Sequence, residues 1–232
     1  MRMSRRTVLY GIVGGVALEY TGTYDYVGNG TKGYAVLKTS GTLSIAGKVD
    51  LCLVGGGGKG RTAVSTKGGG GGAGGFVENY TAQSLNGNFS VTIGAGSTTQ
   101  GAAGGATSVG ATYTANGGNS PTSSQVSVTG RGTSGKGASS SIAGTNGEDG
   151  VFPFDDSVNF SGYCVSGCGG GGSAAKPCGL GGTGGGGNGG NQSAGTPGAV
   201  NTGGGGGGGA HFYTYYAGGD GGSGVVFVRW GY

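Results

Sequence analysis

Residues 201–230 read NTGGGGGGGAHFYTYYAGGDGGSGVVFVRW, and the reading of this stretch decides the fold. Seven consecutive glycines at 203–209 deliver the densest aromatic cluster of the chain, His211, Phe212, Tyr213, Tyr215 and Tyr216, and a strand-like run follows. Glycine loses more conformational freedom on ordering than any other residue. A tract of this kind stays disordered unless its neighbours hold it.

Glycine supplies 67 of the 232 residues and proline only 4. The blocks at 55–58, 68–72, 184–187 and 203–209 carry no strict triplet period, which excludes collagen. Charged residues make up 9%, unlike the charge-rich composition that keeps disordered chains from collapsing. The net charge is +4, and the nearest approaches to basic clusters are Arg2, Arg5, Arg6 and Lys59, Arg61, Lys67. A nucleic-acid surface needs a denser stripe, so no nucleic-acid partner is expected.

Outward from the opening stretch, the apolar pattern gives strands and no helix. Residues 18–27 (LEYTGTYDYV), 34–37, 42–45 and 48–54 (KVDLCLV) read as strands, the last alternating its faces until glycine begins. Residues 76–82 and 89–93 read as a pair joined by the turn SLNGN. TSVGATYTANGG and SSQVSVTG are weaker candidates, and GVVFVRWGY is a long hydrophobic strand suited to the middle of a sheet.

The expected fold is therefore all-β: an antiparallel β-sandwich core with inserted glycine-rich tracts packed as polyglycine II helices. Such a chain has three residues per turn, rises about 3.1 Å per residue and points its N–H and C=O groups outward. Side-by-side packing of these helices satisfies the backbone laterally, and the alternative is disorder of the tracts. The expected organisation is a leader or attachment segment at 1–17, a β-rich core with glycine insertions at 18–129, a glycine-rich region with aromatic loops at 130–223 and a closing strand at 224–232.

The start, MRMSRRTVLYGIVGGVALEY, resembles a twin-arginine export signal, but no A-x-A cleavage pattern follows and the apolar run is too short to span a bilayer. A retained attachment segment without membrane insertion is the expectation. Cys52 reads as a buried small hydrophobe. Cys164, Cys168 and Cys178 read as structural thiols or one disulfide, since the only histidine is His211 and no zinc pattern is complete.

The chain resembles the glycine-rich domain proteins of tailed bacteriophages and prophages, described as tail or tail-fibre proteins. The residues that carry this are MSRRTVLYGIVGG, YTGTYDYV followed by LKTSGTLSI, KVDLCLVGGGGKG, GGGGGAGGF, VTIGAGS, YTANGGNS, NTGGGGGGG and GGSGVVFVRWGY. The resemblance implies a virion protein at the host-contacting end of a tail, non-enzymatic, with a host bacterial surface receptor (a glycan or an outer protein) and other phage tail proteins as partners. It allows a homo-oligomer such as a trimer, although no assembly motif is visible. The loop AHFYTYYAGG is longer and more aromatic than the family pattern, and the three cysteines depart from it.

Turns held by a rigid frame carry recognition. Two loops are rich enough in aromatics to do so: His211, Phe212, Tyr213, Tyr215, Tyr216, and Phe152, Phe154, Asp155, Asp156, Phe160, Tyr163. Tyrosine and phenylalanine offer broad, stiff contact area with hydroxyls for polar ligands. The competing reading is that these rings tuck back onto the protein or a neighbouring subunit. No enzyme is expected: the glycine runs lack the Lys-Ser/Thr ending of a phosphate loop, one histidine makes no triad, and Asp155-Asp156 reads as a solvent-facing pair. No cofactor or metal is expected. A receptor-binding tail adhesin is thus the first reading, a structural tail component the second, and an exported bacterial surface protein the third.

Overall fold

The computed structural model describes residues 12–13, 15–28, 32–65, 67–123, 128, 130, 132, 143–173 and 177–232. Arg2, Arg5 and Arg6 lie outside the described residues, as does most of the strand expected in SSQVSVTG.

Among the described residues the chain is nearly all β. The strands are β1 (Ile12–Val13), β2 (Val16–Tyr20), β3 (Tyr24–Gly28), β4 (Gly33–Leu37), β5 (Gly41–Val54), β6 (Val77–Thr92), β7 (Thr107–Val109), β8 (Tyr113–Ala115), β9 (His211–Phe212), β10 (Thr214–Tyr215) and β11 (Val225–Trp230). The helical content is a single 3-10 turn at Pro153–Asp155. All strands except β9 and β10 join one antiparallel sheet in the order β3-β4-β11-β5-β6-β7-β8, with β2 also on β5 and β1 on β2. The closing strand is central, as its apolar run demands: β11 lies between β4 and β5.

Three expected boundaries are corrected. Residues 18–27 form two strands, because the chain turns at 21–23. The strands expected at 42–45 and 48–54 are one, β5, continuous through Gly47 at φ +143. The turn expected at SLNGN is absent: Asn86 and Gly87 pair with Ala46 and Ile45 inside β6. An Asn-Gly pair turns a chain only where the flanking runs pair with each other, and here both halves pair with the long β5 instead.

Alternation along β5 and β11 sorts two cores. Leu43, Ile45, Val49, Leu51 and Leu53 join Val226, Val228 and Trp230 with Leu18, Tyr20 and Tyr24 on one face. Cys52, Val54, Val225 and Phe227 join Tyr34 and Val36 on the other. All the core strands belong to one hydrogen-bonded sheet, and its second face is covered by Phe160 and Val165 from the glycine-rich region.

The glycine segments continue from the strand ends and bond to one another with a three-residue repeat. Gly57, Gly60 and Ala63 donate to Gly222, Gly219 and Tyr216, while Gly69, Gly72 and Gly75 donate to Gly209, Gly206 and Gly203. The tract 203–209 is buried and fully bonded: its seven amides donate and its seven carbonyls accept, at 2.7 to 3.1 Å. Its partners belong to separate stretches, 58–61, 69–75, 167–170, 187–190 and 219–222 among them. A Cβ at any of 204–209 would fall 1.9 to 2.0 Å from a neighbouring carbonyl oxygen, which is why only glycine occupies the tract.

Candidate functional site: the aromatic hairpin

At Ala210 the buried tract ends and the chain reverses at once. β9 pairs with β10, Phe212 opposite Thr214 and His211 opposite Tyr215, with the pivot at Tyr213. Tyr213 holds φ +56, a left-handed conformation that side chains with a Cβ adopt at a cost. Its ring is 93% exposed, against 58% for Tyr215 and 39% for Phe212, while His211 and Tyr216 are half-buried. The rings are arranged in pairs: Phe212 meets Tyr213 edge-on at 4.5 Å between centroids, and His211 lies 5.1 Å from Tyr215.

The base of the hairpin is tied to three neighbours. The His211 amide donates to Ser173 at 3.3 Å, the Ala210 amide to Ser193 at 3.0 Å, and the Tyr216 carbonyl accepts from Ala63 at 3.1 Å. Beside it stand the tight turn where Val64 bridges Lys67, and the segment of Gln192, another left-handed residue at φ +55. The sequence reading named Lys67 only as a scattered basic residue and did not single out Val64 or Gln192. The available cue was that RTAVSTK interrupts two glycine runs just as AHFYTYYA does. Together these turns form one end of the glycine layer, with ring faces, tyrosine hydroxyls and an imidazole available to a polar or mixed surface.

The second aromatic loop has the opposite placement. Phe160 is fully buried against Tyr34 and Phe227 at 4.7 and 5.9 Å, and Tyr163 and Phe154 pack around it. These three rings close the outer face of the sheet, so Phe160 has no surface to offer a ligand. Phe152 is half-buried. Asp156 accepts from the Asn159 amide at 3.0 Å, which holds its carboxyl below the usual range, and it also faces Arg229 at 3.4 Å. Asp155 is exposed. The two loops therefore do not meet: Gly203, beside Val54, lies at the sheet end of the tract, and the hairpin lies at the other.

No disulfide joins the four cysteines: Cys52 and Cys168 are buried, Cys164 and Cys178 half-buried. Burial pushes the Cys52 thiol up to about 12. Lys59 pairs with Asp220, and Arg61 donates to the Thr122 carbonyl, so both are engaged within the layer. Among the described residues no three His, Cys, Asp or Glu side chains gather as metal ligands, and no helix is long and apolar enough to cross a membrane.

No curated protein matches the chain. The profile of the glycine-rich domain matches residues 38–231, from the end of β4 through β11. The chain belongs to the glycine-rich domain family.

Proposed function

We propose that the protein is a bacteriophage tail adhesin whose aromatic hairpin reads a receptor, glycan or protein, on the host bacterial surface. The observation that carries this reading is the mounting of the hairpin: exposed aromatics, turning at a left-handed Tyr213, rise from a buried tract whose every backbone group is bonded. Rigid frames with protruding loops serve recognition because the ordering entropy of the loop base is already spent before binding. We read the glycine layer as polyglycine II, on the three-residue hydrogen-bond repeat and the lateral saturation of the tract.

The inward packing of Phe154, Phe160 and Tyr163 concentrates recognition on the hairpin. The test is labelling of a broad panel of bacterial strains by the fluorescent protein, beside a variant with Phe212, Tyr213, Tyr215 and Tyr216 replaced by alanine. Labelling of particular strains by the wild type and its loss in the folded variant are expected. Absence of labelling across a broad panel overturns the adhesin reading in favour of a structural tail component.

A further inference from the structure

The backbone bonds fix which turns stand around the aromatic hairpin. The Gly72 amide donates to the Gly206 carbonyl and the Gly69 amide to that of Gly209, so the two chains run in opposite directions and Lys67 comes level with His211. The Ala63 amide donates to the Tyr216 carbonyl, which brings the start of the 63–67 turn beside the end of the hairpin. The Ser193 carbonyl accepts from Ala210, and Asn191 bridges Ser173, whose own carbonyl accepts from His211. Ser65, Lys67, Asn191, Gln192 and Ser193 are all exposed on these turns.

The apolar surface at this end is small and aromatic. From their exposures Tyr213, Tyr215 and Phe212 present together roughly 300–500 Å² of ring. A standard protein interface takes about 800 Å² from each partner, with an apolar centre. Among the described residues of these turns Val64 is the only large aliphatic side chain exposed, so little adds to the rings. Ring faces set among hydroxyls and amides suit instead the C–H faces and hydroxyls of sugars. Charge narrows the class further. Among the described residues 61–67, 173, 191–194 and 210–217 the charged side chains are Arg61 and Lys67, and none is acidic. Arg61 donates to the Thr122 carbonyl, a neutral acceptor, and Asp220 further along the returning chain is paired with Lys59. The positive charge beside the hairpin is therefore not cancelled, and it attracts anions.

Within the adhesin reading, on which this step rests, the geometry points to an acidic surface glycan as the receptor of the hairpin. Sugar rings stack on the exposed faces of Tyr213 and Tyr215, the polar side chains of the flanking turns meet their hydroxyls, and the acid groups of the polymer are drawn to Lys67. The aromatic rings supply contact area, and the uncancelled charge selects an acidic glycan over a neutral one.

The experiment uses a strain that the full-length wild type labels. Its cells are treated with periodate, which cleaves the vicinal diols of sugars, or with a protease, before the fluorescent protein is added. Periodate is expected to abolish labelling. On untreated cells the apparent affinity of Lys67→Glu is expected to fall about tenfold or more, while Lys67→Arg, which keeps the charge, stays within about twofold of the wild type. Labelling that survives periodate, above all labelling that only the protease removes, overturns the glycan and leaves the adhesin reading standing. A Lys67→Glu protein that labels as the wild type does, or a Lys67→Arg protein that loses as much, overturns the acidic character of the receptor. Absence of labelling on every strain removes the adhesin reading itself.

Discussion

The ring of Phe160 stands edge-on to that of Phe227, 5.9 Å between centroids and 89° between planes, and joins a loop of the glycine-rich region to the central strand of the sheet. Sequence distance and composition separate these two residues, and burial unites them. Phe160 is 0% exposed, so truncation leaves a cavity among Tyr34, Tyr163 and Phe227. Phe160→Ala is expected to lower unfolding stability by about 3–5 kcal/mol. Urea denaturation checks this, and a loss comparable to that of an exposed residue would show that the loop does not dock on the sheet.

Gly206 lies at the middle of the buried tract, with its amide on the Gly58 carbonyl at 3.0 Å. An added Cβ would fall 2.0 Å from the Gly219 carbonyl oxygen, and backbone cannot rotate away as a side chain can. Gly206→Ala is therefore expected to destabilise by about 1–3 kcal/mol or more. Gly162, where a Cβ meets nothing within 4 Å, is the comparison. Gly162→Ala should change stability by no more than about 0.5 kcal/mol. Thermal unfolding of the pair separates packing from the general loss of glycine.

Tyr213 couples strain with exposure. Replacing it by glycine removes a left-handed aromatic residue but adds glycine entropy, so Tyr213→Gly should leave stability within about 1 kcal/mol. Loss of the most exposed ring should nevertheless weaken labelling of receptive cells. Unchanged labelling would move recognition away from the pivot of the hairpin.

Tyr20 gives the fold an alkaline limit. Its hydroxyl donates to the Thr39 carbonyl, and burial raises its pKa from 10.0 to about 12. The native state thus holds this proton more tightly than the unfolded chain does. The associated stability is present below the ordinary tyrosine value and is lost as pH rises from about 10 toward 12. Cys52 shifts in the same direction. Tyr20→Phe should flatten the fall in stability over that range, and denaturation midpoints measured across it provide the check.

The strands were legible where alternation or a continuous apolar run met glycine, as at residues 48–54 and 225–230. What local pattern could not show was partnership. Asn86-Gly87 has the chemistry of a turn yet stays within β6, Gly87 at φ +128, because β5 is long enough to pair with both of its halves. The hairpin was legible from its position after the tract. Phe160 looked equivalent to Tyr213 in the sequence, and only the apolar face presented by Tyr34, Val36 and Phe227 distinguishes them.

The central claim is that the glycine tract is a bonded, rigid mount. Hydrogen exchange at the amides of 203–209 tests it most directly, because each of them donates to a partner in the folded protein. The account predicts protection comparable to that of the β11 amides. Exchange as fast as in an unfolded peptide would contradict it and leave the aromatic hairpin without a frame.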